Sequence, residues 1–241
     1  MQQIQDILYT QGFGTRRVCT GLVQQGYVSV HGQIVTDAGA AFDPQGLVFH
    51  VQGQPWAYHE KAYLMLHKPA GMECSHKPSA WPSVYTLLPA PLRQRPNKGA
   101  VVGVQAIGRL DQDTTGLLLL SDDGAFIHRM SSPRHHVPKV YEVTLQDPLQ
   151  AAQVARLLAG VVLNDDPRPV RAAACEARDG HHLSLTLTEG KYHQVKRMIA
   201  AVGNQVQALH RSRMGALVLP GDLAAGQWRW LRAEEVAALR G

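Results

Sequence analysis

The densest chemistry in this 241-residue sequence lies in Gly108-Arg109-Leu110-Asp111-Gln112-Asp113-Thr114-Thr115-Gly116, which runs into Leu117 to Leu120 and stops at Ser121-Asp122-Asp123-Gly124. Charged groups at the mouth of an apolar strand are costly unless they are paired or used. A carboxylate such as Asp111, beside Arg109 and two short hydroxyl residues, can serve as a nucleophile, a metal ligand or the cap of a turn. The spacing Asp111-x-Asp113-x-Thr115-Gly116-(five residues)-Asp122 approaches that of a calcium loop. Against this, leucines fill the positions where a carbonyl and a water should be reached. The last position holds Asp instead of a bidentate Glu. No metal ligand is assigned.

A second cluster is Glu189-Gly190-Lys191-Tyr192-His193-Gln194-Val195-Lys196-Arg197-Met198. It reads as the start of a helix whose polar face gathers His193, Lys196 and Arg197. A cation there can hold an aspartate ionised, or neutralise a phosphate at a helix start that already favours anions. In Ser131-Ser132-Pro133-Arg134-His135-His136 the adjacent histidines point opposite ways if the segment is extended, which suits a surface or RNA-facing loop better than a shared metal.

The elements that must position these residues follow from periodicity. Tyr63 to His67 and Val101 to Ile107 read as strands, the second leading into the Asp111 stretch. Lys139-Val140-Tyr141-Glu142-Val143-Thr144-Leu145 alternates at period two, and Leu183 to Leu187 alternates again. Asp123 to Met130, a segment from Asp147-Pro148 to Gly160, and Ala233 to Arg240 read as helices. Tyr192, Val195, Ile199 and Val202 have helical spacing that ends at Gly203. Val206 to Leu209 and Leu217 to Leu219 are further strands. Runs of strands with occasional helices predict an α+β fold with a mixed, mainly antiparallel sheet flanked by helices.

Ahead of this lies a small module. Ile4, Ile7 and Leu8 have helical spacing, Gly12-Phe13-Gly14 breaks the helix, and Thr15 caps a second one carrying Val18, Leu22 and Val23. Tyr27 to Val30 and Gln33 to Val35 form a hairpin across His31-Gly32, and Leu47 to Val51 adds a strand. Positions 52–60, polar and containing Pro55, read as a linker. The domain division is placed at 1–58 and 59–241.

Composition limits the partners. Net charge is +5; residues 1–60 carry two basic and four acidic residues, net −2, which leaves +7 on residues 61–241. A polyanion is therefore plausible, drawn mainly by the larger segment. No apolar run approaches the roughly 18–20 residues that span a bilayer, so no membrane is expected. The first residues lack the basic and apolar regions of a secretory leader. Three separated cysteines, Cys19, Cys74 and Cys175, form no CxxC pair, which fits a reducing cytoplasm.

As a set, Gly-Arg-Leu-Asp-x-x-Thr-Thr-Gly-Leu-Leu at 108–118, Lys139-x-Tyr141, and Gly190 to Met198 resemble the pseudouridine synthases, in that family's order. The N-terminal module resembles the S4 RNA-binding domain through Thr15-Arg16-Arg17 and Leu22-Val23-x-x-Gly26-x-Val28-x-Val30-x-Gly32. It departs from that domain in having Gln3, Gln5 and Asp6 where Arg and Lys are commoner. Lys68-Pro69-x-Gly71 narrows the resemblance to the branch acting on ribosomal RNA, although His67 replaces the usual Asn. Ser132 to His136, Ala201-Val202-Gly203-Asn204 and Leu209-His210-Arg211 are similar to the branch that modifies small-subunit (16S) RNA.

The resemblance implies that uracil is detached at its N1–C1′ bond, rotated, and rejoined through C5, after the nucleotide flips out of its stack. Asp111 would be the nucleophile, at C1′ or C6. Lys196 would be its basic partner. Tyr141 would pack on the base and assist proton removal from C5. Arg109, Arg16, Arg17, Lys68, Arg134, His135, His193, Arg197 and Arg211 would contact RNA. The implied partner is ribosomal RNA, the implied target the uridine at position 516 of 16S RNA, and the implied state a monomer without cofactors. The competing readings are a large-subunit (23S) RNA target, a non-catalytic assembly factor, and a glycoside hydrolase that would use Asp113 as its second carboxylate.

Overall fold

Buried apolar faces set the N-terminal elements. Ile4, Ile7 and Leu8 are fully buried along α1 (Ile4–Gln11), and Gly12 closes the helix at φ 92°, in the left-handed region. Thr15 caps α2 (Arg16–Gln24) by accepting the Val18 N–H at 3.3 Å. The strands β1 (Val28–Val30), β2 (Gln33–Val35), β3 (Val48–Val51) and β4 (Gln54–Ala57) make an antiparallel sheet in the order β2-β1-β3-β4. Positions 52–60 are thus not a linker. Pro55 lies within β4, where an edge strand tolerates its missing N–H.

This computed structural model describes residues 1–99 and 101–241. They form two compact units: Met1–Ala62 with Leu88–Gln105 and Ser121–Asp123, and Tyr63–Leu87 with Ala106–Leu120 and Gly124–Gly241. The first unit includes α3 (Ala90–Gln94). It holds the fully buried Arg95, whose guanidinium pairs with Asp122 at 2.8 Å and donates to Gln11, His59 and Glu60.

The second unit is built on one sheet. Its main path is β5 (Tyr63–Lys68), β6 (Thr115–Ser121), β7 (Lys139–Leu145), β10 (Ala174–Ala177), β11 (His182–Leu187), β12 (Val206–Met214) and β13 (Trp228–Trp230), in the order β10-β11-β7-β12-β6-β5-β13, with the short strands Gln105–Ala106 and Leu217–Val218 paired to β6 and β12. Between β7 and β10 the chain makes a separate hairpin of β8 (Val161–Leu163) and β9 (Asp166–Val170). The pairs β10–β11, β11–β7, β7–β12 and β5–β13 are antiparallel, and β6 runs parallel to β12. The helices are α4 (Gly124–Ser131), α5 (Ala151–Ala159), α6 (Gln194–Ala201) and α7 (Ala233–Arg240). The α+β expectation holds.

All four leucines of β6 are fully buried. Leu117 and Leu119 pack with Phe126 and Met130 of α4 and with Val236 and Leu239 of α7. A strand buried on both faces reads as a continuous apolar run, as this one does. A second core joins Val143, Leu183 and Leu185 to Val195, Met198 and Ile199 of α6. It seats that helix against β7 and β11.

One further local expectation is corrected. Of Val101 to Ile107 only Gln105–Ala106 is strand, and Val101 and Val102 face solvent. Gly116 is required by packing. It lies inside β6 at φ 110°, and a Cβ there would stand 2.3 Å from the Arg211 carbonyl oxygen. Only glycine lets β6 and β12 approach this closely.

Candidate active site

Asp111 sits in the loop between Ala106 and β6, at the end of the buried leucine strand. Its Oδ2 is 3.0 Å from Lys196 Nζ and its Oδ1 is 3.3 Å from His193 Nε2. Lys196 also holds Asp113, at 2.7 and 3.0 Å. One cation from α6 therefore clasps two carboxylates from one loop. Partial burial works against the Lys196 charge, but the hydrogen bonds to Asp113 and Asp111 outweigh it and hold the ammonium above its ordinary value. Burial likewise opposes the Asp113 charge, and the Lys196 hydrogen bond and charge win, leaving that carboxyl below its ordinary value.

Two connected hollows meet at Asp111. The inner one, about 80 Å³, is lined by Arg109, Leu110, Asp111, Thr114, Tyr141 and Lys196, with Leu187 and Leu209 as its apolar floor. Tyr141 reaches it from β7, where the register shifts between Val140 and Tyr141 against β12. The outer hollow, about 620 Å³, has Glu73, Cys74 and Ser75 on one wall and Tyr192, His193 and Lys196 on the other. The first wall is organised by Glu73, whose carboxylate accepts the N–H groups of Ser79, Ala80 and Trp81. Those hydrogen bonds bring its pKa down to about 2.

The structure brings Asp111, Tyr141, Lys196, Arg109 and His193 together around these hollows. Arg197 stands beside them, donating to the Tyr192 carbonyl and paired with Asp165. Arg134 and His135 are exposed in the short helical turn Pro133–His135 and line neither hollow. In the first unit Arg17 is exposed, while Arg16 pairs with Asp6 and lies 4.2 Å over the Tyr9 ring.

Two expected RNA contacts need correction. Lys68 is fully buried and its ammonium donates to the carbonyls of Pro69, Gln112 and Thr114 at 3.0, 3.2 and 2.8 Å. It braces the Asp111 loop from below, and burial pushes its pKa down. Arg211 is buried as well, its Nε donating to the Leu117 carbonyl at 2.8 Å. Neither is placed to meet a phosphate.

The calcium-like spacing also dissolves, because Asp122 is committed to Arg95 and to the Ala62 N–H. Among the described residues no group of three or more His, Cys, Asp or Glu is arranged to hold a metal ion. Sequence reasoning missed the share of Lys196 taken by Asp113 and the wall made by Glu73 to Ser75. The first had a signal, since residues two apart in an extended loop point the same way. The second had none.

Residues 62–201 match the RNA pseudouridylate synthase family, and residues 2–45 match the S4 domain. The chain belongs to the RNA pseudouridylate synthase family. It is 40% identical over 236 residues to "Ribosomal small subunit pseudouridine synthase A" of Escherichia coli (strain K12), an alignment covering 97% of this chain and 98% of that one. The Pasteurella multocida protein of the same name is 40% identical over 92% of this chain and 93% of its own. A solved pseudouridylate synthase, 34% identical, superposes with a TM-score of 0.69 over 99% of this chain and 100% of its own. As a pseudouridine synthase the chain is an isomerase, and its Asp111 loop lies inside the matched segment.

Proposed function

We propose that this synthase converts one uridine of 16S ribosomal RNA, that at position 516, to pseudouridine, acting as a cytoplasmic monomer. The observation that carries the reading is Asp111, held by Lys196 and His193 at the mouth of the hollow that Tyr141 lines. The RNA class is supported by the small-subunit enzymes that the chain resembles along nearly its whole length. Residues 1–58 serve as the S4-like RNA-binding module and residues 59–241 as the catalytic domain.

The target nucleotide leaves its stack, since no side chain reaches C1′ or C6 inside a helix, at a cost of a few kcal/mol. Asp111 attacks C1′ or C6, and the N1–C1′ bond breaks with its electron pair on the uracil. The base turns against Tyr141, C5 bonds to C1′, and the bond from Asp111 to C1′ or C6 breaks, its electron pair returning to the carboxylate. The proton lost from C5, with Tyr141 assisting, is balanced by the one gained at N1. Atoms and electrons are conserved, so the reaction is an isomerisation with no redox partner. Arg109 holds the flipped nucleotide, and Arg16, Arg17, Arg134, His135, His193 and Arg197 supply contacts to the RNA.

Lys196 acts by holding Asp111 aimed. Replacing it, Lys196→Met, is expected to lower the modification rate about a hundredfold while rRNA affinity falls only a few-fold. Titrating rRNA binding against salt checks the assignment, because a purely phosphate-binding lysine would instead weaken binding and flatten the salt dependence. The target is tested by mapping pseudouridine in rRNA from cells that lack the gene. Loss at position 516 of 16S RNA is expected. Loss at a 23S site, or no loss, would overturn the assignment.

A further inference from the structure

Tyr192 and His193 are consecutive, yet their rings stack at 3.8 Å with 19° between planes. In an extended chain they would point to opposite sides. His193 brings them together by taking φ 47°, a left-handed conformation that a non-glycine residue adopts only when its surroundings impose it. The surroundings here are specific. The Gln194 side chain accepts the Lys191 N–H at 2.8 Å, and Gln194 N–H donates back to the Lys191 carbonyl. Arg197 holds the Tyr192 carbonyl at 3.0 Å.

The result is a two-ring ledge. Its inner ring, His193, reaches Asp111. Its outer ring, Tyr192, is 69% exposed and lines the outer hollow opposite Glu73 to Ser75. An aromatic ring fixed by stacking on one face and open on the other presents a flat apolar surface of the kind a nucleobase stacks on. Lys191 and Arg197 beside it are paired with Asp166 and Asp165, so what the ledge offers a nucleotide is its ring face.

From this geometry we infer that Tyr192 is a stacking platform for the base next to the target uridine in the same RNA strand. The inference rests on the proposed reaction at Asp111. With the target base in the inner hollow against Tyr141, its neighbour in the chain is brought to the outer hollow. There Tyr192 continues the stack that flipping interrupts. Because His193 lies between that ring and Asp111, seating the neighbour also fixes the side of the loop from which the carboxylate works. Tyr192 is thus a positioning residue.

The test is a cycle between protein and RNA. Single-turnover pseudouridine formation is measured for the full-length wild type and Tyr192→Ala, on a 16S fragment and on fragments abasic at the nucleotide 5′ or 3′ of the target. If the wild type forms no pseudouridine on the intact fragment, the proposed function fails and the ledge with it. Where the wild type is active, Tyr192→Ala should lower kcat/KM roughly tenfold, the scale of one base–aromatic stack. Tyr192→Phe should restore it, with the salt dependence unchanged. On one of the two abasic fragments the wild type and Tyr192→Ala should become equal. The platform is overturned if Tyr192→Ala matches the wild type on intact RNA, or if it keeps the same deficit on both abasic fragments. Its exposure makes misfolding of the variant no alternative.

Discussion

Asp111→Asn is expected to abolish pseudouridine formation, by roughly 10⁴–10⁶-fold, while leaving rRNA affinity within about a factor of two. Asparagine has the same shape and keeps an oxygen toward Lys196, and Lys196 retains both oxygens of Asp113 at 2.7 and 3.0 Å. The loop therefore stays folded over Lys68, whose three carbonyl acceptors are backbone groups the substitution does not touch. What is lost is the ionised nucleophile. Asp113, with its charge already committed to Lys196 and its place in the outer hollow, is not positioned to replace it. The outcome separates the enzyme from an assembly factor that keeps the fold. In a factor that only binds RNA, the substitution would change neither affinity nor the pseudouridine level. Mass-spectrometric counting of pseudouridine, together with a filter-binding titration, reads both quantities.

The second large effect falls on stability. Arg95→Met should destabilise the protein by about 3–5 kcal/mol, because it leaves the Asp122 carboxylate buried without its cation. Arg95 is 1% exposed, and its guanidinium joins Asp122 at 2.8 Å, Gln11 at 3.3 Å and the carbonyls of His59 and Glu60 at 2.7 and 3.2 Å. The second Asp122 oxygen accepts the Ala62 N–H at 2.7 Å, so the whole group is satisfied from within. Removing both charges, Arg95→Met with Asp122→Leu, should recover part of the loss, since no unpaired charge is left, while the Ala62 N–H and the His59 and Glu60 carbonyls still lose these partners. Urea denaturation of the two variants gives the comparison. A double variant no more stable than the single one would show that the ion pair is not the source of the effect.

What was legible in the sequence was what periodicity and local chemistry determine. The alternation of Lys139 to Leu145 marked β7 to the residue, and Ala233 to Arg240 marked α7. The leucine run announced a buried strand. The Asp111 stretch stood out by its charged cluster, but the roles given to Asp111, Tyr141 and Lys196 came from the resemblance; the structure brings the three side chains around one hollow. Burial of cations was not legible. Lys68 and Arg211 read as surface groups, since nothing local tells that their charges end on backbone carbonyls under a loop. Arg95 gave no signal, because its partner lies 27 residues away. Proline misled once. Pro55 concealed β4, an edge strand that accommodates it, and the hairpin of β8 and β9, with Pro167 and Pro169 in β9, drew no reading at all. The Tyr192–His193 ledge depended on one left-handed residue, and histidine does not advertise that conformation as glycine does.

The central claim is that Asp111 drives isomerisation of one uridine in 16S RNA, and the C5 hydrogen reports it directly. Joining C5 to C1′ expels that hydrogen, so a transcript labelled with tritium at uracil C5 releases label to water at each event. With the wild type, release should stop at one tritium per 16S transcript, with none from a 23S transcript and none when Asp111→Asn is used. Release from 23S RNA in place of 16S RNA, or equal release by Asp111→Asn, would contradict the account.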